Sequence, residues 1–156
     1  MSEKNATCSF TGHRIIPAGQ IGHVRRELRR EIEEAVVDGF VRFISGFASG
    51  ADLEFASIVA AMKKDNPALF LEAALPYRGR LLTYERLFQS LIGKCDHVHW
   101  VSVIYTPGCY AARNRYLVES AGRVVAVYDG RGRSGTSQTI RIAEKLGREV
   151  KIITIE

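Results

Sequence analysis

Apolar residues recur along the chain at two different spacings. In five segments they are three and four residues apart, as on one face of a helix, and these segments span residues 20–38, 50–64, 81–91, 110–121 and 136–146. Six shorter runs, rich in apolar and β-branched residues, predict strands at residues 6–10, 41–44, 68–75, 97–104, 123–128 and 150–155. Strands and helices therefore alternate along the whole chain.

A strict alternation of strands and helices predicts parallel strands, because only a long crossover returns the chain to the same end of a sheet. Several strands are continuous apolar runs, which indicates that helices cover both faces of the sheet. We predict a single domain over residues 1–156. Its expected fold is a three-layer, Rossmann-like α/β architecture with a mainly parallel sheet of about six strands flanked by helices.

Composition narrows the class of protein. Of the 156 residues, 46% are hydrophobic and 25% are charged, as in ordinary globular domains, which excludes a disordered or fibrous chain. The apolar runs are far shorter than the ~20 residues that cross a bilayer, and the first residues lack the apolar core of a signal peptide. Three cysteines without a CxxC pair favour reduced thiols. We expect a cytoplasmic protein without a membrane partner, and the sequence leaves a homo-oligomer open.

Arginine is the dominant basic residue, with 16 arginines against 6 lysines in a chain of net charge +5. Seven of the arginines lie in or just past the loops that follow the predicted strands, at positions 14, 78, 80, 113, 115, 131 and 133. Ligands of open parallel sheets bind beyond the carboxyl ends of the strands, and the planar guanidinium group suits phosphate and carboxylate. The sequence therefore predicts an anion site at this edge.

The loop after the fifth strand contains Gly130, Gly132 and Gly135 in the spacing GxGxxG and leads into a helix. This spacing matches the dinucleotide-binding fingerprint, but that fingerprint normally follows the first strand of its fold. We interpret the loop as a helix N-terminus that binds an anion, and a glycine-rich turn without a ligand stays as the alternative.

Two earlier loops also contain residues suited to a ligand. After the second strand, Gly46 and Gly50 favour a close approach of the backbone. Asp52 either completes a capping box with Ser49 or accepts the hydroxyl groups of a ribose. After the first strand, His13 is placed to act as an acid, a base or a hydrogen-bond donor.

Asn114 lies in the apolar stripe of the fourth helix and needs a partner, because an unpaired buried amide costs roughly 1–3 kcal/mol. We favour a structural tie for Asn114 and a ligand contact for its neighbour Arg113. His97 and His99 share one face of a strand but have no third ligand, so no metal site is predicted and no cofactor is identified.

Five motifs occur in the order of the strand ends: TGHR at 11–14, SGFASGAD at 45–52, LP at 75–76, YTPGC at 105–109 with RNRY at 113–116, and VYDG at 127–130 with SGT at 134–136. Together they resemble the YpsA-like family. That family is a branch of the SLOG superfamily, which also contains the SMF/DprA and LOG proteins and has a Rossmann-like fold. The resemblance covers residues 11–155.

The resemblance implies a regulatory or sensor domain, without identified catalysis, that binds a nucleotide or a nucleotide derivative such as an ADP-ribose-like molecule. Carried over by position, the ligand contacts from the first four motifs are Gly12, His13, Arg14, Gly46, Gly50, Asp52, Arg113 and Asn114. The glycine loop adds Asp129, Gly130, Gly135 and Thr136.

Three departures from the family's pattern bear on the alternatives. Ser134 stands where the family usually has glycine, and Arg80 stands where it often has glutamine. LOG relatives hydrolyse the N-glycosidic bond of nucleotides with a glutamate whose place is taken here by Gln138, which counts against a hydrolase unless Asp52 or Asp129 substitutes. A DprA-like DNA-binding module is not favoured, because the net charge is modest and no aromatic stacking platform is evident.

Overall fold

The computed structural model describes residues 3–156 and contains one six-stranded sheet in which every pair of neighbouring strands is parallel. The strands are β1 (Thr7–Gly12), β2 (Arg42–Ser45), β3 (Phe70–Leu75), β4 (His97–Trp100), β5 (Arg123–Tyr128) and β6 (Glu149–Thr154). Their order across the sheet is β4-β3-β2-β1-β5-β6. The predicted Rossmann-like α/β fold is confirmed.

Five α-helices connect the strands: α1 (Ile21–Val37), α2 (Ala51–Met62), α3 (Arg86–Ile92), α4 (Cys109–Glu119) and α5 (Gly135–Lys145). Short 3-10 helices occupy Lys4–Ala6, Ala18–Gln20 and Arg78–Leu82. In residues 3–156, no helix has the length and apolar character needed to span a membrane.

Alternate residues of each strand face different helices, as the pleat of a strand requires. On β2, Phe43 belongs to the large apolar cluster that also contains the buried residues of α1, α2 and α3. Its neighbour Ile44 packs on the other face with Leu117 of α4. The smaller cluster of α5 forms around Ala143 on that same second face. The sheet is therefore covered by α1–α3 on one side and by α4 and α5 on the other.

The strand order reverses direction at β1. From β1 the chain proceeds outward through β2, β3 and β4, and α4 then returns it to β5 on the opposite side of β1. The loops that leave β1 and β5 consequently run to opposite faces of the sheet, which opens a crevice at their carboxyl ends.

The fourth strand and the third helix are both shorter than the periodicity predicts. β4 ends at Trp100 rather than at residue 104, because its partner β3 ends at Leu75 and Pro76 follows. Beyond it, Ile104 is 69% exposed. α3 begins only at Arg86, because the extended backbone at Thr83 interrupts the helical segment and leaves Tyr84 exposed.

Candidate functional site

A cleft of about 460 Å3 lies at the carboxyl end of the sheet, between the loops that leave β1 and β5. The loop after β2 and the first turns of α4 complete its walls. Eight of the twelve predicted ligand contacts line it, namely Gly12, His13, Arg14, Asp52, Arg113, Asn114, Gly135 and Thr136. Four do not line it, namely Gly46, Gly50, Asp129 and Gly130. The strand order therefore brings residues at or beyond the carboxyl ends of four different strands into one crevice.

Two glycines allow the loop after β1 to lie directly against the start of α2. A Cβ on Gly12 would lie 2.6 Å from the Cβ of Ala51. Gly50 has φ +83°, and a Cβ there would lie 2.2 Å from the carbonyl oxygen of Arg14. The Ala51 amide also donates to the carbonyl oxygen of His13 at 3.2 Å. Gly50 thus packs on the protein's own backbone and holds the cleft floor in place.

Asp52 lies in the first turn of α2 and is 5% exposed. Its Oδ2 accepts a hydrogen bond from the amide of Ala48 at 3.1 Å, whereas its buried Oδ1 has no partner among residues 3–156. Burial raises the pKa of Asp52 to about 6, against the opposing effects of Arg113, the Ala48 amide and Arg14. One carboxylate oxygen of a residue that lines the cleft is therefore buried without a hydrogen-bond partner among residues 3–156.

The capping box considered for Ser49 and Asp52 does not form. Gly50 is the N-cap residue of α2 and makes no side-chain cap. Ser49 instead donates its hydroxyl to Glu85 Oε2 at 2.8 Å. A capping box occurs at the start of α5, where Ser134 and Ser137 each accept the other's backbone amide.

Arg113 and Asn114 both have bonds within the protein as well as a place in the cleft wall. Arg113 is 6% exposed and donates through Nη1 to the carbonyl oxygens of Gly46 and Ala74, at 2.7 and 3.3 Å. Its Nε donates to Asn114 Oδ1 at 3.0 Å, and Asn114 Nδ2 donates to Gln138 Oε1 at 3.4 Å. The tie expected of Asn114 is present, and Arg113, which we predicted as a ligand contact, is also anchored by three hydrogen bonds within the protein.

His13 joins the loops after β1 and β5. Its Nε2 accepts the backbone N–H of Asp129 at 3.1 Å, which requires the neutral ring, and it also lies 3.0 Å from Asp129 Oδ1. Burial lowers the pKa of His13, against the raising effect of Asp129. Asp129 further accepts from the backbone and guanidinium of Arg131. Its carboxylate is therefore already engaged by the protein.

The N-terminus of α5 forms one end of the cleft. Gly135 and Thr136, its first two residues, both line the cleft, and amides at this position of a helix have no carbonyl partner within it. Thr136 is buried, and its hydroxyl makes no hydrogen bond within residues 3–156. Gly130 lies earlier in the loop, where φ is +91°, and serves the turn itself.

The seven loop arginines do not all converge. Arg14, Arg113 and Arg131 line the cleft, and Arg80 lines a pocket beside it. Arg115 instead pairs with Glu119 at 3.3 Å on the exposed side of α4, because positions two apart point to different sides of a helix. The side chain of Arg78 lies over the ring of Trp100, and Arg133 is exposed. The predicted convergence is thus restricted to four of the seven.

Sequence reasoning missed Tyr110 as part of the site. The guanidinium groups of Arg14 and Arg113 lie over its ring, 5.5 and 5.7 Å from the centroid. Tyr77 contacts the same ring edge-on and also contacts the exposed Tyr105. The apolar spacing of the segment 110–121 assigns Tyr110 to the buried stripe of α4, whereas its position in the first turn after a strand-end loop indicates a place near the site.

No family model matches the sequence. Among curated proteins, the chain is 21% identical over 128 residues to a UPF0398 protein of Bacillus pumilus (strain SAFR-032), covering 78% of this chain and 69% of the relative. It is 24% identical over 139 residues to the SPbeta prophage-derived protein YoqJ of Bacillus subtilis (strain 168), covering 78% of this chain and 81% of the relative.

Two solved structures share the fold. The DNA processing protein A of Helicobacter pylori, described by its single-stranded DNA binding mode, matches with a TM-score of 0.70 at 17% identity, over 98% of this chain and 67% of that one. TM1055, a structural-genomics target, matches with a TM-score of 0.60 at 16% identity, over 92% of this chain and 71% of that one. With the UPF0398 and YoqJ relatives, these likenesses fit the YpsA-like branch of the SLOG superfamily that the motifs indicated.

Proposed function

We propose that the cleft binds a nucleotide or a nucleotide-derived small molecule and that the domain acts as a sensor or regulator through this binding. The observation that carries the proposal is a pairing of two complementary features in one cleft. The α5 N-terminus supplies amide donors for a phosphate, and Arg14 adds positive charge to the wall of the same cleft. Asp52 lines the same cleft, and its Oδ1, which has no partner among residues 3–156, is the acceptor that we assign to the hydroxyl groups of a ribose.

Binding without hydrolysis is favoured by the residues around α5. Gln138, at the place of the LOG glutamate, is neutral and accepts from Asn114. Asp129 is held by Arg131 and lies against His13. Neither residue offers a free carboxylate to stabilise positive charge developing on a sugar. Such a cleft is suited to holding a nucleotide unchanged.

The proposal is tested by thermal-shift screening of AMP, NAD, ADP-ribose and cyclic dinucleotides, followed by calorimetry on each compound that raises the melting temperature. Thr136→Val removes the hydroxyl at the α5 N-terminus and is expected to weaken binding several-fold. Thr154→Val, at an exposed position on β6, is the matched control. If no compound binds, or if both variants bind equally well, the proposal is wrong.

The second candidate function is an N-glycosidic hydrolase that uses Asp52. Its Oδ1 has no partner among residues 3–156 and its pKa is raised to about 6, which suits a group that accepts a proton near neutral pH. Water would attack C1′ of the ribose as the glycosidic bond breaks, and the base would leave with a proton. The assay is release of adenine and ribose 5-phosphate from AMP. Release that is lost in Asp52→Asn would establish this activity.

The fold shared with DNA processing protein A suggests a third candidate function, the binding of single-stranded DNA. A labelled single-stranded oligonucleotide tests it directly, because binding through phosphates weakens steeply as salt is raised. Tight, salt-sensitive binding of the oligonucleotide, combined with no response to mononucleotides, would replace the proposed function.

A further inference from the structure

A second, smaller pocket of about 150 Å3, here called the side pocket, adjoins the cleft. Cleft and side pocket share four lining residues, namely Arg14, Ala48, Tyr110 and Arg113. Arg80, Ser49 and Thr83 line the side pocket only. Its volume is about five times the ~30 Å3 that one water occupies in the liquid, which is room for an oxyanion group.

Three guanidinium groups meet at the side pocket, and two of them have no hydrogen-bond or ion-pair partner in the described part of the chain. Within residues 3–156, neither Arg14 nor Arg80 makes a side-chain hydrogen bond or an ion pair. Their aromatic contacts are with Tyr110, 5.5 Å from Arg14, and with Phe88, 5.7 Å from Arg80. The donors of both arginines are therefore available to a ligand.

The three positive charges are close enough to affect one another. Burial lowers the pKa of Arg113, and the positive charges of Arg14 and Arg80 lower it further. Asp52 and Tyr110 have the opposite effect and raise the pKa of Arg113. Two acidic residues lie nearby. Asp52 lines the cleft, and Glu85 accepts a hydrogen bond from the hydroxyl of Ser49, which lines the side pocket. Positive charge thus remains in excess, and a bound anion would relieve the repulsion among the arginines.

We infer that the ligand carries two phosphate groups in separate subsites, one at the α5 N-terminus and the other in the side pocket between Arg14 and Arg80. This inference rests on the proposed function and specifies the class of nucleotide. A nucleoside bisphosphate or a linear dinucleotide with a terminal phosphate has this arrangement, whereas AMP fills one end only. Arg80 is then the residue that selects between the two classes.

The test compares adenosine 3′,5′-bisphosphate with AMP, and pApA with ApA, by calorimetry on the full chain. We expect each phosphate-richer probe to bind about tenfold more tightly, as for a charge-assisted hydrogen-bond pair. Arg80→Gln should abolish this advantage while changing the affinity for AMP less than twofold. Arg80→Lys should retain part of it.

Arg26→Gln, which removes an exposed arginine of α1, controls for the loss of one positive charge. Thermal melting of each variant establishes that it folds. If AMP binds but the bisphosphate has no advantage, or if Arg26→Gln removes the advantage as well, the inference fails while the proposed function stands. If neither nucleotide binds, both fail. An affinity that keeps rising with oligonucleotide length beyond pApA would overturn the inference in favour of single-stranded nucleic acid.

Discussion

Arg113 Nη1 lies 2.7 Å from the carbonyl oxygen of Gly46 and donates a hydrogen bond to it, which ties α4 to the loop after β2. A Cβ at position 46 would lie 2.8 Å both from this nitrogen and from Asp52 Oδ2. Glycine therefore lets a buried cation and a buried carboxylate sit over the same peptide. The two charged groups of the cleft floor are positioned by backbone before any ligand arrives.

This anchoring separates the effects of two arginine substitutions. Arg113→Ala leaves the carbonyl oxygen of Gly46 and the side-chain oxygen of Asn114 without their donor, so we expect a loss of roughly 2–3 kcal/mol in the free energy of unfolding. Arg14→Ala removes no side-chain hydrogen bond within residues 3–156 and should leave that free energy unchanged within about 0.5 kcal/mol. Urea denaturation of both variants measures the difference.

Nucleotide affinity provides the second measurement on this pair. Both variants should lose roughly 1–3 kcal/mol of binding free energy, the range for hydrogen bonds to charged groups. Equal stability of the two variants would contradict the anchoring of Arg113. Unchanged affinity in both would contradict the placement of the ligand.

A glycine pair tests how the cleft floor is built. Gly50→Ala places a Cβ against the Arg14 carbonyl in a backbone conformation with φ +83°, and we expect a destabilisation of roughly 2–4 kcal/mol. Gly132→Ala, in the glycine loop, meets no atom within 4 Å and has an ordinary φ, so it is the control. Thermal unfolding of both variants is the measurement, and similar melting temperatures would show that the close packing at Gly50 does not hold.

The fold was predictable because the spacing of apolar residues reports directly on helices and buried strands. The crevice followed from topology, since parallel strands bring their carboxyl-end loops to one edge. The spacing of apolar residues does not show where a strand at the edge of the sheet ends. The apolar residues Val103 and Ile104 extend the predicted fourth strand to residue 104, yet both are exposed where β3 no longer offers a partner.

Side-chain direction was the other information that the sequence lacked. The motif RNRY does not distinguish Arg113 from Arg115. In the structure, Arg113 is buried against Gly46, and Arg115 pairs with Glu119 at the surface. The apolar spacing predicts Tyr110 as a core residue, but its ring lies under the guanidinium groups of Arg14 and Arg113. Spacing assigns a residue to a loop or a helix turn, and only tertiary packing decides what its side chain contacts.

His13 makes the cleft sensitive to acid. Its folded pKa is lowered, with burial as the largest cause, so its stabilising effect is present above the ordinary value of 6.5 and is lost as the pH falls through the folded pKa. Protonation puts a hydrogen on Nε2, and the bond from the Asp129 amide then breaks. The protonated Nε2 can then donate to Asp129 Oδ1, 3.0 Å away, so the link between the loops after β1 and β5 changes its partner atom while the burial of a charged ring costs stability.

Nuclear magnetic resonance titration of the histidine rings measures this directly, with His13→Gln identifying the signal that belongs to His13. We expect a neutral ring with its hydrogen on Nδ1 at pH 7 and a midpoint below 6.5. A midpoint above 6.5 would mean that Asp129, 3.0 Å away, outweighs burial.

The titration of Asp52 should change the stability with pH in the direction opposite to that of His13. Because burial raises its pKa from 3.8 to about 6, the folded state favours the neutral acid, and that stabilisation is present below pH 3.8 and lost as the pH rises through 6. A shift of this size corresponds to roughly 2–3 kcal/mol. Asp52→Asn, which stays neutral, should therefore gain stability relative to the natural chain between pH 4 and pH 8.

Urea denaturation at several pH values checks this expectation, with the exposed Asp65→Asn as the matched control. The difference in unfolding free energy between Asp52→Asn and the natural chain should grow in favour of the variant as the pH rises, while the Asp65→Asn curve stays parallel to the natural one. Saturating AMP adds a further test. If the free Oδ1 accepts ribose hydroxyls, AMP should stabilise the natural chain more than the variant, and equal stabilisation would remove Asp52 from the binding site.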